Sequence, residues 1–207
     1  NTIYSLSNTN TTGAVGITGI FYNGGTSTTI ARNLVYDLSL SSSSTSAYVY
    51  GLDIAGGANN VQNNMIRLGT GLNLGVLING INDVIGTSNY YHNSVYLGGA
   101  PTANVANTFA FNSSNASSSG VNYNNNIFVN ARSNSGSTGK HYAVSLGGAT
   151  GYNMNYNIYQ TPGTGGVLGY FGAADQATLS AWNTASGKDA NSYNSDPQFI
   201  APASATP

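Results

Sequence analysis

The chain has 207 residues and very little charge, 5% of the total, with five Lys and Arg against six acids that are all aspartate, for a net charge of -1. That balance excludes an electrostatic footprint for nucleic acid or anionic lipid, because Arg32, Arg67, Arg132, Lys140 and Lys188 are scattered, and no segment is long and apolar enough to insert in a membrane. With 40% hydrophobic residues and 15 tyrosines it is no disordered chain, its length suits one domain, and the lack of cysteine fits an exported protein that does without disulfides.

Asn1 opens a column. Asparagine returns at Asn33, Asn64, Asn93, Asn126 and Asn157, at spacings of 32, 31, 29, 33 and 31 residues. Asparagine is abundant, 30 of 207 residues, so the neighbours decide whether the column is meaningful. Two places after each ladder asparagine stand Ile3, Val35, Ile66, Val95, Phe128 and Tyr159. Three places before the last five stand Ile30, Val61, Tyr90, Tyr123 and Met154. Every slot is apolar or aromatic, and a period of this length marks a solenoid, propeller or array.

Along each repeat the segments are short, β-branched or aromatic, and bounded by Gly, Ser and Asn, which excludes helical repeats. One strand follows each ladder asparagine, as in Asn33-Leu-Val-Tyr and Asn93-Ser-Val-Tyr-Leu. A second is predicted at Gly16–Tyr22, Ala47–Ile54, Gly75–Ile81, Thr108–Phe111 and His141–Leu146. A third and shorter one, such as Thr29-Ile-Ala or Asn60-Val-Gln, leads back to the ladder after glycine pairs such as Gly24-Gly25, Gly56-Gly57 and Gly147-Gly148. Three short strands per turn describe a parallel β-helix of about six coils with a period of about 31 residues. Coils stacked at roughly 4.8 Å turn each repeated residue into a column. The ladder asparagines are expected to occupy a turn and take up its left-handed backbone, passing amide hydrogen bonds from coil to coil while their apolar neighbours point inward. Leu6 and Leu38 follow their asparagines by five residues, Leu68 and Leu97 by four, which predicts a bulge in the earlier coils.

Residues 1–160 are thus read as coils. Residues 161–200 break the pattern and are read as a cap within the same domain, and residues 201–207 as a linker. Ala174–Gly187 is the one predicted helix, with Asp175 near its start, Leu179 and Trp182 three apart, and Gly187 as its stop. Together with Asp196-Pro-Gln-Phe-Ile it is expected to cover the edges of the last coil. Residue 1 already stands on the ladder, so the open first coil is expected to meet upstream coils of its own chain or an identical subunit.

The Asn-x-[Ile/Val]-Tyr-x-Leu strands, the Gly-Gly turns, Ala181-Trp-Asn-Thr-Ala-Ser-Gly-Lys-Asp-Ala-Asn-Ser and Asp196-Pro-Gln-Phe together resemble right-handed parallel β-helix domains of the pectate-lyase-like superfamily. More narrowly, the chain looks like the repetitive β-helix regions of large surface or secreted proteins exported by bacterial type IX secretion. The resemblance covers nearly the whole chain and speaks to fold, because the same scaffold hosts lyases, hydrolases, adhesins and inert stalks.

Enzymes of that superfamily use clustered acids, often around Ca²⁺. Only Asp53 and Asp83 approach a common phase, eleven and ten residues before Asn64 and Asn93. On adjacent coils their carboxyls would lie about 5 Å apart, the separation of a retaining glycosidase pair. The competing reading makes both solvated carboxylates of an outer face or loop. No metal centre or cofactor is expected, since His92 and His141 share no phase and Ca²⁺ prefers six or more oxygens. Three places after the ladder run Tyr4, Tyr36, Arg67 and Tyr96, a column expected to point away from the core. It serves either as cation–π stacking that stabilises the coils or as a flat aromatic strip for surface glycans. Two functions follow. The first is a non-catalytic structural module, an adhesin, stalk or filament unit of an extracellular or cell-surface bacterial protein. The second is carbohydrate binding or cleavage along the coil face.

Overall fold

Each repeat is cut into strands by its turn residues, and the strands of successive repeats pair in register. In the computed structural model, which describes residues 1–115, 119–147 and 151–202, the chain winds as an all-β parallel solenoid of about six turns. The first sheet, the ladder sheet, runs from Thr2–Tyr4 through Leu34–Tyr36, Met65–Leu68, Ser94–Leu97, Ile127–Asn130 and Ile158–Gln160 to Tyr193–Asn194. The second, the long-strand sheet, stacks Gly16–Tyr22, Tyr48–Ile54, Leu77–Asp83, Thr108–Ser113, His141–Leu146 and Gly166–Phe171. Thr29–Ala31, Asn60–Gln62, Asn89–Tyr91, Asn122–Asn124 and Asn153–Asn155 form the short-strand sheet.

The register carries the predicted columns inward. Ile3, Val35, Ile66, Val95, Phe128 and Tyr159 are successive Cα partners, and all but Ile3 are buried to 2% exposure or less. Ile30, Val61, Tyr90, Tyr123 and Met154 form the matching column of the short-strand sheet. Aromatic rings thicken the middle of the core, where Phe111 packs edge-on against Tyr90 and Tyr123 and stacks on Phe128. Each such fully buried side chain stabilises the fold by about 1.5–3 kcal/mol over an exposed one.

Three expectations need correction. The left-handed residues are the ones before the ladder, Arg32, Asn63, His92, Asn125 and Tyr156, with φ of 56°, 54°, 54°, 59° and 59°. Only two of them are asparagine. The sharp turn between the short-strand and ladder sheets is imposed on whatever residue sits there, at a cost of about 1–2 kcal/mol, because the asparagine behind it is anchored. Second, the extra residue of the early coils is no bulge in the ladder strand. Ser5 and Asp37 adopt φ of 53° and 54° and start a further two-stranded sheet, Ser7–Asn8 with Ser39–Leu40. Third, the helix is shorter than predicted, Leu179–Ser186, with Thr178 as N-cap accepting from the Ala181 N–H and Gly187 closing it at φ 66°. Ala174–Gln176 is instead an antiparallel strand on Gly166–Phe171, where Asp175 accepts from Tyr142 Oη at 2.8 Å and pairs with Lys140.

Residues 161–200 therefore do more than cap. Gly166–Phe171 extends the long-strand sheet and Tyr193–Asn194 the ladder sheet. Trp182, fully buried, lies over the end of the core against Tyr159 and Phe171, with ring centroids 6.4 and 5.9 Å away. Gly169 leaves it room, since a Cβ there would fall 2.4 Å from the indole. Of the predicted 201–207 linker, residues 203–207 lie outside the described residues, as does Gly148 of the last glycine pair.

Candidate functional site

The asparagine ladder is a continuous column of hydrogen-bonded amides. Asn33, Asn64, Asn93, Asn126 and Asn157 are all buried, and from Asn1 to Asn126 each Nδ2 donates to Oδ1 of the next asparagine, at 2.9 Å for Asn1→Asn33 and 3.2 Å for Asn126→Asn157. The backbone N–H of Asn33, Asn64, Asn93 and Asn126 donates to that same Oδ1. The second Nδ2 hydrogen turns back to a carbonyl of the preceding coil, Ile30, Val61, Tyr90 or Tyr123. The ladder thus has a direction, with donors facing the later coil and acceptors the earlier one. It ends on an acceptor, Asp189, 32 residues beyond Asn157 and 1% exposed. This carboxylate takes hydrogen bonds from Asn157 Nδ2 at 3.0 Å, Tyr159 Oη at 2.9 Å, Trp182 Nε1 at 2.7 Å and Ser192 Oγ. The period itself pointed to Asp189, but a search for asparagine alone passes over it.

Asp53 and Asp83 do not form a pair. Asp53 is the Cα partner of Asn82, and Asp83 that of Ile54. The single-residue difference in their distance to the ladder moves one of them to the opposite face of a pleated strand. Asp53 is half-buried on the outer face, where Asn82 Nδ2 donates to it at 2.8 Å. Asp83 is fully buried inside, accepting from Ser113 Oγ at 2.8 Å and Tyr123 Oη at 3.0 Å, and burial raises its pKa despite those bonds.

His92 is an exposed turn residue, whereas His141 is fully buried. Its Nδ1 lies 2.9 Å from Thr108 Oγ1 and its Nε2 2.9 Å from Asn134 Oδ1. The amide oxygen only accepts, so Nε2 carries the hydrogen and Nδ1 accepts from the threonine, which in turn accepts from Asn130 Nδ2 at 3.0 Å. Arg132, also fully buried, spreads its guanidinium over the carbonyls of Gly69, Gly98, Leu72 and Leu74 at 3.3, 2.8, 3.2 and 3.0 Å. It ties the loops of three successive coils together, and burial lowers its pKa to about 10. Gly69 has a φ of 78°, and a Cβ there would stand 2.6 Å from Nη1. Neither residue carries a periodic signal, because each serves one place in the stack.

Burial, with Arg132 nearby, lowers the pKa of His141 to about 4 from 6.5. Between those values the unfolded chain takes up a proton that the folded one refuses. The stability from neutral His141 is therefore complete above pH 6.5 and lost as pH falls towards 4, by up to about 3 kcal/mol. Asp83 acts in the opposite sense, since its raised pKa favours the fold at low pH and the benefit fades as pH rises from 3.8. Urea titrations from pH 4 to 7.5 are expected to show His141→Gln with a shallower loss towards acid than the parent chain. Equal slopes would contradict the assignment.

The Tyr4, Tyr36, Arg67 and Tyr96 column does face outward, but it is not a flat strip. Tyr4 and Tyr36 stack at 5.2 Å and 5°, and the Arg67 guanidinium lies 5.2 Å from the Tyr36 ring centre. Tyr36 and Arg67 are only 9% and 6% exposed. The tail folds back over this face, with Phe199 edge-on to Tyr96 at 6.4 Å. That placement also corrects the expectation that Asp196–Ile200 covers strand edges. Between tail and sheet runs an apolar groove of about 330 Å³, bordered by Leu34, Met65 and Tyr96 on one side and Phe199, Ile200 and Pro202 on the other.

A different outer face gathers polar and aromatic groups together. On the long-strand sheet Asp53, Asn82 and Asn112 form a hydrogen-bonded row, with Asn112 Nδ2 donating to Asn82 Oδ1 at 3.1 Å. Beside it Asn79 stands between its register partners Tyr50 and Phe109, and it donates to Asn82 Oδ1 at 2.9 Å. Asn79 Oδ1 is buried without a hydrogen-bond partner. Its columns mix residue types from coil to coil, which is why periodicity alone did not reveal the face. Among the described residues no group of three or more His, Cys, Asp or Glu is placed to hold a metal ion. Comparison with protein-family models, curated proteins and solved structures gave no match.

Proposed function

We propose that the chain is a non-catalytic structural module of a secreted or cell-surface bacterial protein, of the pectate-lyase-like β-helix kind, whose work is to be a rigid rod built by stacking coil on coil. The observation that carries this reading is where the buried ionisable side chains are used. Asp83, Asp189, His141 and Arg132 are enclosed and committed to bonds within and between coils. Of the acids nearer the surface, Asp53 is bonded to an amide, Asp37 to Ser5, and Asp175 to Lys140 and Tyr142. Incubation with a broad panel of polysaccharides, followed by assays for reducing ends and unsaturated products, should yield no turnover, and the coils should resist proteolysis. Turnover abolished by Asp53→Asn would sink this reading.

A second reading, carbohydrate recognition, is favoured by the outer face of the long-strand sheet rather than by the Tyr–Arg column. Tyr50 and Phe109 flank Asn79, and the row of amides and one carboxylate beside them suits sugar hydroxyls. If glycans bind here, a Tyr50→Ala/Phe109→Ala double variant should weaken binding at least tenfold on a glycan array, whereas Tyr96→Ala should not. The reverse pattern would return the site to the ladder sheet.

A further inference from the structure

On the outer face of the long-strand sheet the direction of the hydrogen bonds narrows what the surface can hold. Two outward columns run side by side along the solenoid, one from Thr18 through Tyr50, Asn79 and Phe109 to Val167, the other from Phe21 through Asp53, Asn82 and Asn112 to Tyr170. Together they hold one carboxylate and no basic side chain. In the second column the amides donate one way, Asn112 to Asn82 and Asn82 to Asp53, while Asn79 gives Asn82 Oδ1 a second donor. Acceptors are left over. Asp53 Oδ2 and Asn112 Oδ1 receive no hydrogen bond among the described residues, and both residues are half-buried. Asn79, only 2% exposed, keeps its Oδ1 without a partner. Such a row calls for a ligand that donates.

We propose that this face binds a neutral, unbranched polysaccharide lying along the solenoid axis, its hydroxyls donating to Asp53 and Asn112 and its apolar ring faces packing against Tyr50 and Phe109. The inference rests on the carbohydrate reading of the same face and names its ligand class. Charge selects neutral sugars. A uronate or sulfated sugar would bring its anion towards Asp53 with no cation on either column to meet it. A basic peptide fits less well than a polyol, because the Asp53 carboxylate already accepts from Asn82, and Asp175 at the far end of the sheet is paired with Lys140. Burial and then the charge of Asp53 raise the pKa of Tyr50, so its hydroxyl keeps its proton beside the row. Coils repeat at roughly 4.8 Å, so the column from Phe21 to Tyr170 runs for about 24 Å, longer than a single sugar. Phe21, 60% exposed, offers a further apolar contact at one end.

The 207-residue chain is titrated calorimetrically with neutral hexasaccharides of glucose, xylose and mannose, with the matching disaccharides, and with hexagalacturonate and a heparin fragment. At least one neutral hexasaccharide should bind on the order of tenfold more tightly than its disaccharide, since the row engages several sugars at once. Added salt should leave that affinity unchanged, and the acidic oligomers should bind about tenfold more weakly. Asp53→Lys should reverse the preference, and Asn112→Ala should weaken the neutral ligand about fivefold, with circular dichroism confirming that both variants are folded. Tighter binding of hexagalacturonate, or equal affinity for disaccharide and hexasaccharide, would overturn this inference and leave the carbohydrate reading standing. Binding of no sugar, or of a lysine-rich peptide in place of any sugar, would remove the carbohydrate reading and the inference with it.

Discussion

Asn93→Ala is expected to lower stability by about 3–5 kcal/mol, and Asn1→Ala by less than about 1 kcal/mol. Removing the Asn93 amide leaves the Asn64 backbone N–H and Nδ2 without their acceptor, from 3.1 and 2.9 Å, and takes a donor from the Val61 carbonyl at 2.9 Å. These groups are buried at the middle of the stack, where water is not a replacement, and each unsatisfied one costs about 1–3 kcal/mol. Asn1 makes a single ladder bond to Asn33 and is exposed. Thermal and urea unfolding of the two variants checks this, and similar losses for both would mean that the ladder is decoration on a stack held by apolar contacts alone. At this chain length the Asn93 loss corresponds to a fall in Tm of about 6–20 °C.

The second large effect is expected at the other end of the ladder. Asp189→Asn should cost about 2–4 kcal/mol, because the carboxylate accepts at both oxygens. Oδ1 faces Asn157 Nδ2 and Ser192 Oγ, and Oδ2 faces Tyr159 Oη and Trp182 Nε1. An amide has one accepting atom, so whichever way it turns its NH₂ group meets two of these donors. The hydroxyls rotate, but the indole N–H and the Asn157 amide are fixed in direction. Because Trp182 is held by this bond and by packing, the variant should loosen the cap before the coils. Trp182 fluorescence should shift to the red at lower urea than the loss of β-sheet circular dichroism. The control is Asp196→Asn on the exposed tail, which should be near neutral. An Asp189→Asn chain no weaker than that control would remove the ladder terminus from the account.

Both predictions describe one design. A solenoid with few charges builds its polar interior from amides, which donate and accept at once and so extend indefinitely. Termination then needs a group that only accepts. Ionisable residues enter the same economy wherever a coil departs from the repeat, as Arg132 does across the loops of Gly69 and Gly98 and His141 between Thr108 and Asn134. Their pKa values are displaced by burial, yet their surroundings are closed and bonded, and displacement alone is no mark of chemistry.

What the sequence determined by itself is whatever repeats. The period places the ladder asparagines, the inward columns beside them and three strands per turn, because stacking at a fixed rise converts sequence phase directly into spatial neighbourhood. Leu179, Trp182 and Gly187 likewise mark the one short helix, since spacing and a C-terminal glycine are local signals. Only the tertiary structure decided the rest. Which side of a pleated strand a residue faces changes with a one-residue offset, so Asp53 and Asp83 were separated by a difference that counting reads as near coincidence. The left-handed turn fell on Arg32, His92 and Tyr156 because the anchored asparagine after them left no other place for it. The aromatic and arginine column was covered by Phe199, more than a hundred residues away in sequence from Tyr96. Such contacts depend on how the ends and loops of the stack close over it, and no periodic pattern encodes them.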